Sequence, residues 1–113
     1  MIDRELLELA AKATGDFYQN PINRIPDEYP VLFYLDGKLW NPLTDDGDAL
    51  RLAVKLGIWI NTAALEVGYR LDGILYTLPI VLTDSGLDAA TRRAIVRAAA
   101  EIGKAMEPGK KET

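Results

Sequence analysis

The chain has 113 residues, 49% apolar and 27% charged, with a formal net charge of −4, the profile of one ordinary globular domain rather than a disordered or fibrous chain. It contains neither cysteine nor histidine, which excludes disulfides, thiol chemistry, Cys/His zinc sites, Ser-His triads and imidazole acid–base catalysis together. The acidic balance argues against general nucleic-acid binding, no apolar run approaches the roughly 20 residues of a membrane helix, and Asp3 and Glu5 ahead of the first apolar run are the wrong charge order for a secretory signal; a cytoplasmic protein is expected.

Residues 3–14 predict a first helix. Asp3 can cap it, Leu6, Leu7, Ala10 and Ala13 recur at helical spacing, Glu8 and Lys12 form an i,i+4 pair, and Gly15 is a stop. Residues 16–30 contain Pro21, Pro26 and Pro30 with Asn20 and Asn23 and read as an irregular loop, part of which packs down through Phe17, Tyr18, Ile22, Ile25 and Tyr29. Val31 to Trp40 reads as a hairpin turning on Asp36-Gly37, because Asp-Gly supplies the positive φ values of a type I′ turn. Asn41-Pro42-Leu43 leaves that strand. Thr44 or Asp45 then caps a second helix to about Leu56, ended by Gly57, with Ala49, Leu50, Ala53 and Leu56 as its buried stripe and Arg51 and Lys55 on the solvent side.

Ile58 to Ile60 alternates as a short strand, and the apolar parity shifts near Ala63-Ala64, which suggests a bulge or a break. A second Asp-Gly, Asp72-Gly73, then pairs Leu71 with Ile74, Tyr69 with Tyr76, Val67 with Leu78 and Leu65 with Ile80, all apolar or aromatic on one face. Pro79 cannot donate to a ladder and marks an edge or a bulge. A last helix runs from about Asp88 to Met106, capped by Ser85 or Asp88, with Ile95, Ala98, Ala99, Ile102 and Met106 as its stripe. Residues 107–113 are expected to form a disordered tail after a single α+β domain over 1–106. The expected order is α-β-β-α-β-β-β-α: an antiparallel sheet of four to five strands, with two Asp-Gly hairpins, packed with three helices.

The stretch from Trp40 to Ala49, running from a strand through Asn-Pro-Leu-Thr-Asp into a helix, and the Ala/Arg-rich stretch from Ala90 to Glu101 resemble small proteins of tailed bacteriophages and prophages, the group described as an α-β-α sandwich. The resemblance covers most of residues 38–104. It implies a phage origin, the cytoplasm of a bacterial host, and a sandwich of this kind. No activity is assigned to that group, so no functional residue follows from it.

Asp45, Asp46 and Asp48 are the densest acidic cluster. Carboxylates suit Mg²⁺ or Ca²⁺, but these are bunched at a helix start rather than spaced through a twelve-residue EF-hand loop, and the same residues serve as helix cap and dipole partners. They could equally form an acidic surface for a basic partner. Arg92, Arg93 and Arg97 could meet phosphates, yet Asp88–Arg92 and Arg97–Glu101 have the spacing of ordinary surface ion pairs. Trp40 is expected in the core, and Trp59, on the sheet face opposite Ile58 and Ile60, is buried or part of an apolar patch according to whether helices cover both faces. Tyr69 and Tyr76 form a cross-strand aromatic pair. The glycines never form a phosphate-binding run. No catalytic residue, cofactor or metal is assigned. The sequence points to a non-enzymatic accessory protein that binds a host or phage macromolecule, with a protein partner or a homodimer expected and no membrane association. A small-molecule or nucleotide-binding module is the alternative, and a carboxylate-metal hydrolase a third.

Overall fold

The computed structural model of the chain describes residues 2–15, 18–19, 33–35 and 38–106. Among them are three helices and six strands in the order α-β-β-β-α-β-β-β-α. Helix α1 (Asp3–Thr14) buries Leu6, Leu7, Ala10, Ala11 and Thr14, and Gly15 closes it in the left-handed conformation with its N–H on Lys12 O. Asp3 is its first residue rather than its cap. The N-cap is Ile2, whose N–H donates to Glu5 Oε1 at 3.2 Å, and the Asp3 carboxylate is drawn instead to Arg93 of the last helix at 2.7 Å.

Strands β1 (Tyr18–Gln19), β2 (Phe33–Leu35) and β3 (Lys38–Trp40) form one antiparallel sheet in that order. The first hairpin has the expected register, Leu35 opposite Lys38 and Phe33 opposite Trp40. Strand β1 was not expected: a two-residue strand carries no alternation to detect, and it lies within the stretch read as a loop. The remainder of that stretch, the strand start at Val31-Leu32, the Asp36-Gly37 turn and the 107–113 tail lie outside the described residues.

Helix α2 (Asp46–Leu56) follows, capped by Asp45 and closed by Gly57 at φ 70°. Strands β4 (Trp59–Asn61), β5 (Glu66–Leu71) and β6 (Ile74–Pro79) make a second antiparallel sheet, with β5 central. The two hairpins therefore belong to separate three-stranded sheets, not to one sheet of four to five strands. The cause is local: β3 runs out at Asn41 and Pro42, and α2 intervenes before β4. The β5–β6 register is the expected one, Leu71 to Ile74, Tyr69 to Tyr76 and Val67 to Leu78, and Ile80 N donates to Leu65 O at 2.8 Å just past the ladder. Asp72 and Gly73 take φ values of 53° and 80°, both positive as a type I′ turn requires. Pro79 sits on an edge strand, where its missing donor costs no ladder bond. The parity shift is a break, a turn over residues 62–65 with Leu65 at φ 57°.

Helix α3 (Gly86–Ala105) organises the rest, packing on α1, α2, β5 and β6. It starts two residues earlier than expected, so Asp88 lies inside its first turn and caps nothing, and Ser85 is the N-cap without a side-chain bond. Because α3 has neighbours on several sides, its buried set is broader than one stripe: Ala90, Ala94, Ile95, Val96, Ala98, Ala99, Ala100 and Gly103 are all buried, whereas Met106 is exposed. Small residues let helices approach closely. A Cβ at Gly103 would collide with the Leu9 carbonyl of α1, so only glycine permits this spacing. In α2 the buried stripe is Ala49, Leu52 and Ala53; Leu50 is turned out, 58% exposed. Among the described residues no helix is long and apolar enough to cross a membrane.

Candidate functional site

The segment from Trp40 to Asp48 is a closed set of hydrogen bonds. Trp40 and Pro42 are buried and anchor it to the core. Asn41 Oδ1 accepts from Leu43 N at 2.9 Å, and Asn41 O accepts from Thr44 N and Asp45 N at 3.1 and 3.0 Å. Asp45 Oδ2 accepts from Asp48 N at 2.8 Å, capping α2, while Asp48 Oδ2 reaches back to Asn41 N at 2.9 Å. Each carboxylate also has a cation beside it: Arg51 is 2.8 Å from Asp48 and 3.9 Å from Asp45, and Arg92 meets Asp46. The acidic cluster thus builds the start of α2. Among the described residues no group of three or more acidic side chains is arranged to hold a metal ion.

The arginines do not converge. Arg92 does not pair with Asp88; it reaches across to α2, where its Nε donates to Leu43 O at 2.9 Å and its Nη1 to Asp46. Arg93 turns the other way, to Asp3 of α1. Nor does Arg97 pair with Glu101, whose carboxylate lies 3.9 Å from Lys104. Residues adjacent on a helix point about 100° apart, so Arg92 and Arg93 were bound to diverge, and each found a carboxylate on a different helix.

Trp59 lies on the outer face of the second sheet, across from Gly68 in the ladder. Its indole occupies the space a Cβ at Gly68 would fill, and the side chain stays 38% exposed. No described helix covers that face, which resolves the two sequence expectations for Trp59 in favour of an exposed apolar position. On the helix side Tyr69 and Tyr76 stack with ring centroids 5.5 Å apart. Tyr69 is buried, and burial, followed by the nearby Glu101 carboxylate and Tyr76, raises its pKa above the usual tyrosine value of 10.0.

The described residues also enclose a concave feature that no sequence motif marked. Between α2, β4 and α3 lies a cleft of about 250 Å³. Its walls are Ala49 and Leu50 of α2, Ile60 of β4, and Leu87 and Ile95 of α3, with Thr62, Thr91, Asp46, Asp88 and Arg92 as the polar positions. The cleft exists because Gly57 ends α2 in the left-handed conformation and Ile58 N bonds Ala53 O at 2.9 Å, which turns the chain into β4 beside the helix it has just left. Leu50, Leu87 and Ile60 remain 58%, 41% and 37% exposed, and Val54, one turn on from Leu50, is 73% exposed. Thr91 Oγ1 is screened from solvent and has no hydrogen-bond partner among the described residues. The site combines an apolar floor, an Arg92–Asp46 ion pair and the exposed Asp88. No family model, curated protein or solved structure matches the chain.

Proposed function

We propose that this protein is a non-enzymatic binding module, a phage- or prophage-encoded accessory protein that works in the bacterial cytoplasm by docking another protein on the cleft between α2, β4 and α3. The observation that carries this reading is the cleft and the four aliphatic side chains exposed in and beside it, Leu50, Val54, Ile60 and Leu87. Clustered exposed apolar residues around a concavity are characteristic of partner-binding surfaces. The size favours a protein partner over a cofactor: about 250 Å³ falls below the roughly 300–1,000 Å³ of small-molecule sites and suits an anchoring side chain. The nucleotide alternative needs several free cations at one place; Arg92 and Arg93 are each held by a carboxylate, and Arg97 alone of the three has no ion pair among the described residues. The phage assignment rests on the Trp40–Ala49 and Ala90–Glu101 stretches alone.

The test is affinity purification of the tagged chain from a bacterial cytoplasm, in parallel with a Leu50→Asp, Leu87→Asp double variant whose melting curve confirms folding. A protein retained by the native chain in stoichiometric amount and lost from the variant supports the reading. Retention of the same proteins by both contradicts it.

A further inference from the structure

We infer that the occupant of this cleft is a basic segment of a partner protein, which inserts one bulky apolar side chain and sets a lysine or arginine against Asp88. The inference rests on the docking reading above and adds the chemistry of the partner. Three charged groups stand on the cleft wall, Asp46, Asp88 and Arg92. Arg92 is consumed by Asp46 and the Leu43 carbonyl. Asp88 is exposed and forms no ion pair among the described residues. The mouth therefore presents one carboxylate, in the first turn of α3 and without an ion-pair partner among the described residues, beside an apolar floor, on a chain whose net charge is −4.

That arrangement selects by sign. A cation placed next to the anchor gains Coulomb energy with Asp88 and is steered by the field of the whole chain, whereas an acidic segment is repelled by both. A second copy of this chain carries the same net charge of −4 and is repelled as a whole, which disfavours it as the occupant. The volume limits the insertion to about one large side chain, so the remaining affinity must come from Leu50, Val54 and Leu87 around the rim.

The experiment uses the full chain, immobilised, against short randomised peptides displayed on yeast. Enriched peptides are expected to carry a bulky aliphatic or aromatic residue within one helical turn of a lysine or arginine. Their affinity should fall about fivefold with Asp88→Lys, the scale of an exposed ion pair, fall further with Leu50→Asp, and weaken with added salt. Both substitutions are at exposed positions, and circular dichroism checks that each variant is folded. Enriched peptides lacking a basic residue, or insensitive to Asp88→Lys yet lost with Leu50→Asp, overturn the basic partner and leave the docking surface standing. Peptides indifferent to both variants, or no enrichment over a blank surface, overturn the docking surface itself. A native chain that sediments as a dimer dissociated by Leu50→Asp replaces the basic partner with a second copy.

Discussion

The two sides of α3 solve the packing problem in opposite ways. Toward α1 it presents small residues, and the helices come so close that Gly103 sits against the Leu9 backbone. Toward α2 and β4 it presents Leu87 and Ile95, and a cleft remains with Leu50, Ile60 and Leu87 part-exposed. Apolar burial and close contact drive folding. One side has used both fully; the other has left apolar surface unburied. The contrast locates tight packing on the α1 side and the proposed docking surface on the α2 side.

The largest predicted effect strikes the tight side. Gly103→Val forces a branched side chain into the Leu9 carbonyl, and overpacking of this kind, where backbone must move, is expected to cost about 3 kcal/mol or more. Urea denaturation measures it, and a loss below about 1 kcal/mol would show that α1 and α3 have room to separate. Next comes Thr91→Val. The Thr91 hydroxyl is screened from solvent without a partner among the described residues, and its removal in a side chain of the same shape should stabilise the fold by about 1 kcal/mol. A destabilised variant would mean that the hydroxyl is satisfied after all.

Tyr69 links the stability of the fold to pH. Its pKa is raised by burial, then by Glu101 and Tyr76, so the folded chain holds this proton more tightly than the unfolded one. The stability linked to it is fully present below the unfolded tyrosine pKa of about 10 and is lost as pH rises from there through the folded value. Tyr69→Phe should flatten that alkaline decline in denaturation midpoints; an unchanged slope would assign it to other groups. The smallest effect belongs to the open side. Leu50→Asp replaces an exposed side chain, and its stability should stay within about 0.5 kcal/mol of the native chain.

Some of this was legible in the residues. The β5–β6 hairpin announced itself because its turn chemistry and its apolar alternation agree over eight positions, and Asp45 and Gly57 delimit α2 by caps that act locally. Two separate sheets were not legible, since strand partners depend on where α2 turns the chain. Leu50 and Leu52 could not be ranked by spacing alone: the rotation of α2 about its own axis is set by the Asn41–Asp48 bonds and by Arg92. The cleft is invisible in sequence because it is made by three elements, none of which carries a motif. The acidic cluster was legible as a helix start, and Asp45 caps α2 with Asp46 and Asp48 in its first turn.

Site-specific photocrosslinking in bacterial cells reads out whether the α2–β4–α3 cleft meets a partner. A photoreactive residue is placed at Leu50 or Leu87, both exposed at the cleft, and as a control at Arg70, exposed on the outer face of the second sheet. A docking cleft yields one discrete crosslinked protein from both cleft positions and none from Arg70. Equal crosslinking from all three positions, or crosslinking from Arg70 alone, would contradict it.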